Sequence, residues 1–195
     1  MRSPFHRRVV VALGVVTVVA VAAAVAVVEL VPGSGRAASI VPASDLTSTA
    51  VQAGKASQAV SAISARVGFA VKALVPPPGY QLEQVTNLHV GTAPVVFLRY
   101  VPEGAVAPVT SEINVQEWDI RLVAPAHGNP ASAPDIRVDA GVPWAEVWLA
   151  PGSSARGAAY TVFAGKRTYV IDLRNYPLFD ATALRSFIAP FQPAS

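Results

Sequence analysis

The sequence predicts an α+β fold in which one N-terminal transmembrane helix is followed by an antiparallel sheet. About six or seven strands are expected, with an N-terminal and a C-terminal helix packed on the sheet. Three observations predict this: a 20-residue run without charge from Val9, short alternating segments beyond residue 80, and amphipathic segments on either side of them. Connections between consecutive strands are too short for parallel crossovers, so the sheet should be antiparallel.

The apolar run reads VVVALGVVTVVAVAAAVAVV over residues 9–28. As a helix it is about 30 Å long at roughly 1.5 Å per residue, which matches the hydrocarbon core of a bilayer. We therefore predict a transmembrane helix over residues 9–31, with the lipid bilayer as its partner. The alternative is a cleaved secretory signal, although the apolar region of such signals is usually only about 7 to 15 residues long.

Charge is distributed unevenly along the chain. Residues 1–8 contain three arginines and no acidic residue, whereas residues 32–195 contain 12 basic and 11 acidic side chains. Excess arginine on the short side predicts a cytoplasmic tail over residues 1–8 and an extracytoplasmic C-terminal domain, hence a single-pass protein of the cell membrane. Because that domain is nearly neutral, the pI near 9.5 reflects membrane topology, and nucleic acid is not an expected partner.

The segment after the apolar run has the composition of a spacer. Pro32 and the glycines that follow it end the transmembrane helix. The chain up to residue 56 is rich in Ala, Ser, Thr and Gly, so residues 32–56 are interpreted as a flexible linker. The extracytoplasmic domain is then expected over residues 57–195.

Helices are expected at both ends of this domain. Val60, Ile63 and Val67 fall on one helical face in the first segment, at residues 57–67. In the last segment, Asp180 can cap a helix whose apolar face includes Leu184. Both faces are expected to pack on the sheet.

Seven segments between these helices have the character of strands. Residues 95–101 are apolar on both faces apart from one arginine, which is typical of a strand inside a sheet. Within residues 112–122 the apolar side chains switch from one face of the strand to the other. Ile113 and Val115 share one face, whereas Trp118 lies on the opposite face. A bulge is therefore expected near Gln116 and Glu117. The first segment starts at Tyr80, and the other six span residues 95–101, 112–122, 135–139, 144–149, 158–164 and 168–173.

Motifs that indicate catalysis or cofactor binding do not occur in the sequence. There is no cysteine, His89 and His127 stand in no metal-binding spacing, and serine elbows and phosphate-binding glycine loops are missing. Glu117 and Asp119 fall at strand spacing and are interpreted as solvated carboxylates. No catalytic residue, metal site or cofactor is predicted.

The candidate ligand-binding residues are Trp144, Glu146 and Trp148. In a strand these three side chains share one face, so that two indoles flank a carboxylate. Aromatic walls with few polar groups are typical of pockets for small apolar or sugar-like ligands. The competing interpretation is that a helix covers this face and both rings belong to the core.

Several short motifs together resemble a known family. They are Phe69-Ala70-Val71 followed by Pro77-Pro78-Gly79-Tyr80-Gln81-Leu82, then Leu98-Arg99-Tyr100, a late hairpin with Tyr160 and Tyr169, and a short closing helix at residues 184–188 before Phe191. Over about residues 57–192 this pattern resembles an uncharacterised extracytoplasmic domain of bacterial anti-sigma-factor-like membrane proteins and lipoproteins. The resemblance implies a sensing, binding or envelope-associated role and brings no catalytic residues. Eight residues before the membrane are too few for a sigma-binding domain.

The expected function is that of a membrane-anchored, non-enzymatic domain that binds a small apolar ligand or an envelope protein, in a sensory or regulatory role. A carrier or chaperone for lipid or lipoprotein is the alternative, with the sheet holding an acyl chain. An extracytoplasmic hydrolase is the least expected of the three, because no constellation of residues supports it.

Overall fold

A computed structural model describes residues 44–51, 54–90, 93–122 and 135–193. These residues form eight strands, two α-helices and a 3₁₀ turn at Ala189–Phe191. The strands are β1 (Ser44–Ala50), β2 (Tyr80–Val90), β3 (Ala93–Pro102), β4 (Glu112–Trp118), β5 (Ile136–Val138), β6 (Ala145–Leu149), β7 (Gly157–Ala164) and β8 (Arg167–Arg174), and the helices are α1 (Ala56–Val67) and α2 (Ala181–Ile188).

All eight strands belong to one antiparallel sheet, in the order β1-β2-β3-β4-β8-β7-β6-β5. The predicted α+β class is confirmed, and β3 lies inside the sheet as predicted. Most strands are joined to their sequence neighbours by short connections. Two connections are longer. The one from β1 to β2 contains α1, and the one from β4 to β5 must pass β8, β7 and β6 to reach the edge of the sheet.

The structure has one strand more than the sequence predicts. Strands β2–β8 correspond to the seven predicted segments, whereas β1 lies inside the segment 32–56 that was interpreted as a linker. β1 is an edge strand paired only with β2, and Val51 just beyond it donates its backbone N–H to the Glu83 carbonyl at 2.7 Å. Main-chain hydrogen bonds hold such a strand, so its sequence need not show an apolar stripe.

The bulge predicted near Gln116 and Glu117 is wrong. β4 pairs with β3 and β8 without a shift of register from end to end. The apparent change of parity has two causes: Glu117 occupies an inward-pointing position, and the strand ends at Trp118, so Ile120 is not part of it.

The main hydrophobic core lies on one side of the sheet, which we call the covered face. Both helices contribute buried side chains to this core, Ile63 from α1 and Leu184, Phe187 and Ile188 from α2. The registers place all sheet members of the core on this same side. They are Leu82, Val85, Val96, Leu98, Tyr100, Ile113, Val115, Val147, Ala158, Tyr160, Val162, Ala164, Tyr169, Ile171 and Leu173.

The opposite side, which we call the second face, carries a separate set of buried apolar side chains. Of the two described helices, neither contributes a buried side chain there. The set comprises Leu88, Val95, Val101, Trp118, Phe163 and Val170, and none of these residues belongs to the main core.

The C-terminal helix forms as its sequence predicts. Asp180 is the N-cap, and its Oδ1 accepts a hydrogen bond from the Ala183 N–H at 2.7 Å. After the helix, the Phe191 ring stacks on Tyr169 with ring centroids 3.8 Å apart. The end of the chain is thereby fixed to the covered face.

The predicted transmembrane helix at residues 9–31 lies outside the described residues. Within the ranges that the structure does describe, no helix is both long and apolar enough to cross a bilayer.

Candidate functional site

Two of the three candidate residues lie together on the second face. Glu146 and Trp148 are neighbours on this side of β6, and both side chains are half-buried. The indole Nε1 of Trp148 donates a hydrogen bond to Glu146 Oε1 at 3.0 Å. Strand alternation therefore brings a carboxylate and an indole into contact, as the sequence predicts.

Trp144 does not join them. It precedes β6, which begins at Ala145, and its half-buried ring packs against the main core. Period-2 alternation applies only within the strand, so the expected pair of indoles around Glu146 is not formed. A single indole lies beside the carboxylate.

The third partner at this site is Arg121, which the sequence did not indicate. Its Nη2 lies 2.8 Å from Glu146 Oε2, and its guanidinium lies over the Phe163 ring, 4.5 Å from the centroid. Both oxygens of Glu146 are thus engaged, one by an indole N–H and one by a guanidinium. The pairing joins residues 25 positions apart, so no local pattern could reveal it.

Arg121 reaches β6 because the chain turns onto the second face after β4. The Leu122 N–H donates to Thr168 Oγ1 at 2.9 Å, and the same hydroxyl donates to the Ile120 carbonyl at 3.0 Å. Thr168 lies on β8, so residues 119–122 pass over that strand on their way toward the far edge of the sheet. The competing interpretation placed both rings in the core, but only Trp144 packs against the main core, and Trp148 lies on the second face.

The middle of the second face is a band of aromatic and polar side chains. One row across the sheet holds Phe97, Gln116, Val170, Thr161 and Trp148, one residue from each of five neighbouring strands. Val170 and Thr161 are fully buried, whereas the side chains at the two ends and Gln116 are half-buried. The band therefore has a closed centre between two accessible aromatic rings.

The row next to this band is charged. Asp172 lies on β8, and burial raises the pKa of its carboxyl to about 6, opposed by a hydrogen bond from Gln116. Farther along, Arg99 contacts Glu83 at 2.6 Å and Glu112 at 2.9 Å. This end of the second face is polar, and its opposite charges are paired.

Glu117, interpreted from the sequence as solvated, is instead fully buried on the covered face. Its Oε2 accepts the Lys72 N–H at 2.8 Å, and its Oε1 lies 3.0 Å from Arg167 Nη1. Burial raises the pKa of Glu117 to about 7, against the opposing effects of the Lys72 N–H, Arg167 and a hydrogen bond with Tyr169. Asp119, the other carboxylate of that pair, is three-quarters buried and lies 3.0 Å from Arg167 Nε.

No arrangement for a metal ion occurs in the described part of the chain, where groups of three or more His, Cys, Asp or Glu side chains are not found. His89 lies half-buried in β2, and His127 is outside the described residues. Comparison of the chain with protein-family models, with curated proteins and with solved structures finds no significant match.

Proposed function

We propose that this protein is anchored in the cell membrane by residues 9–31 and that its sheet domain, outside the cytoplasm, binds a ligand or an envelope protein without catalysing a reaction. The apolar run and the arginines before it support the anchored topology. The resemblance to extracytoplasmic domains of anti-sigma-factor-like membrane proteins supports a sensory or regulatory role.

The arrangement around Trp148 is the single observation that carries the binding function. The carboxylate beside the ring is already paired with Arg121 and with the indole N–H, so it holds the ring in one orientation. A fixed, half-buried aromatic ring contributes contact area at a low cost in conformational entropy, which suits recognition. With both of its oxygens engaged, Glu146 is poorly suited to act as a nucleophile or an acid.

Site-specific photocrosslinking in living cells tests this proposal. A benzophenone amino acid replaces Arg137, which is exposed on β5 directly beside Trp148, and the control carries it at Ser57, which is exposed on α1. Irradiation of the full-length chain should give an adduct of defined mass from position 137 and none from position 57. An envelope protein or a small apolar molecule as the adduct supports the proposal, and a lipid acyl chain favours the carrier alternative.

Two results would count against binding at this face. One is the absence of any adduct at position 137 in cells that express the folded protein. The other is the same set of adducts from both positions, which would show that the crosslinker samples its surroundings without selectivity.

A further inference from the structure

The segment between α1 and β2 is held on the sheet by the buried cluster around Glu117. Phe69, Val71 and Leu74 are buried, whereas the residues between them are more exposed. We call residues 69–74 the docked segment. It has no regular secondary structure of its own, so its position depends on side chains of the sheet.

Three backbone groups of the docked segment are bonded to the sheet. The Lys72 N–H donates to Glu117 at 2.8 Å, the Leu74 N–H donates to the Tyr100 hydroxyl at 2.9 Å, and the Ala70 carbonyl accepts from Arg167 Nη1 at 2.6 Å. One further bond links the segment to α1, from the Val71 N–H to Ser64 Oγ at 3.0 Å.

Arg167 connects the carboxylate with the docked segment. Its Nη1 binds both Glu117 and the Ala70 carbonyl, and its guanidinium lies 5.1 Å from the centroid of the Phe69 ring. A change in the charge of Glu117 therefore changes the strength of its ion pair with Arg167, the residue that binds the Ala70 carbonyl. It also changes the strength of the hydrogen bond from the Lys72 N–H.

Glu117 has no access to water while the segment is docked. Its side chain is completely buried, and the segment supplies one of its hydrogen-bond donors. If residues 69–74 lifted from the sheet, that donor would leave and water would reach the carboxyl group. A carboxylate is more stable in water than in a buried site, so lifting the segment favours the ionised form.

The charged and titratable groups around Glu117 come from every element that packs against it. They are Lys72 of the docked segment, Tyr100 of β3, Asp119 after β4, and Arg167 and Tyr169 of β8, with Lys166 of the β7–β8 turn lying 3.6 Å from Asp119. Arg167 already binds Asp119, so its charge is shared between two carboxylates. This sharing weakens the stabilisation that ionised Glu117 receives.

We propose that Glu117 makes the docked segment sensitive to pH, so that residues 69–74 stay docked when the carboxyl group is protonated and lift more readily when it is ionised. The inference rests on the proposed extracytoplasmic function, in which this side of the domain is exposed to the external medium. The domain would then report the acidity outside the membrane through its α1–β2 connection.

The direction of the effect follows from the pKa in the two states. The pKa of Glu117 is about 7 in the docked state, and about 4.3 is usual for a glutamate in water. The docked state binds more protons between these values. The equilibrium for lifting should therefore rise with pH, by up to about tenfold per pH unit, and level off above about pH 7.

Amide hydrogen exchange of the full-length chain in detergent micelles measures this equilibrium. The reporter is the protection factor of the Leu74 amide, whose acceptor is Tyr100 and not Glu117, and the Val115 amide in β4 reports on the sheet. Protection at Leu74 should fall between pH 5 and pH 7 relative to Val115. In Glu117→Gln, which keeps an acceptor but cannot ionise, the ratio should become independent of pH.

Asp119→Asn is the matched control, because it removes a neighbouring charge and leaves Glu117 able to titrate. Its pH dependence should persist, although its midpoint can move. An equal pH dependence in Glu117→Gln and the wild type would overturn the proposal.

A second measurement covers the case in which Glu117→Gln does not fold. The carboxyl carbon of Glu117 in the wild type should titrate with a midpoint near 7 in its NMR chemical shift. A midpoint below about 5 would also overturn the proposal, because such a group is ionised across the whole range. Both measurements are independent of the photocrosslinking result, so the pH response and the binding function can fail separately.

Discussion

Asp172 is a partly buried acidic group on the second face, and its contribution to the free energy of unfolding depends on pH. Because burial raises its pKa to about 6, the folded state binds a proton more readily than the unfolded state. The stability from this group is fully present below the unfolded pKa, near 4, and is lost as the pH rises through about 6.

We expect Asp172→Asn to increase the free energy of unfolding at pH 7.5 by about 1 kcal/mol and to change it much less at pH 4. The effect stays near this size because the side chain is partly accessible and solvent screens its charge. Urea unfolding followed at several pH values measures the effect. Glu103→Gln, at an exposed loop carboxyl group, is the control, and parallel pH curves for Asp172→Asn and the wild type would refute the prediction.

The N-terminus of α2 depends on one side chain. Asp180 accepts the Ala183 N–H at 2.7 Å, and α2 places Leu184, Phe187 and Ile188 in the core. We expect Asp180→Ala to lower the free energy of unfolding by about 1 kcal/mol, the usual cost of removing an N-cap. Thr182→Ala, at an exposed position of the same helix, should change it by less than about 0.5 kcal/mol. Equal effects of the two substitutions would show that the cap bond does not stabilise the helix.

Most elements could be predicted from the sequence because their signals are local. α2 carries its cap and its apolar face within ten residues, and β7 and β8 alternate on either side of a turn with Gly165 at φ +61°. β1 carries no such signal, because it is held by backbone pairing to β2 at the edge of the sheet. A strand of this kind can be found only when its partner is known.

The candidate site shows the same limit. The contact between Glu146 and Trp148 follows from alternation within one strand, so the sequence could predict it. Arg121 could not be found in this way, because its position depends on the path of the chain from β4 across the second face. The burial of Glu117 likewise depends on residues 69–74, which lie some 45 positions away along the chain. Long-range contacts of this kind carry no periodic pattern in the sequence.

On the scale of the whole molecule, the two sides of the sheet carry different residues. Both helices and the docked segment pack on the covered face, and the second face carries the band of side chains that includes Trp148. The β4 strand links the two, since Glu117 points to one side and Gln116, which binds Asp172, points to the other.

The division of the chain leads to the last prediction. The compact unit Val41–Ser195 includes all eight described strands and both described helices. We expect residues 41–195, produced alone, to be recovered in the soluble fraction and to unfold cooperatively, because the core is formed by side chains of this unit. The full-length chain should sediment with membranes.

Protease added to intact cells completes the test. It should digest most of the full-length protein while a cytoplasmic marker stays whole, because the arginines at positions 2, 7 and 8 are expected to keep the short N-terminal tail inside the cell. Recovery of the uncut full-length chain in the soluble lysate would contradict the anchored topology. Aggregation of residues 41–195, with the full-length chain folded, would instead show that the domain needs the N-terminal segment to fold.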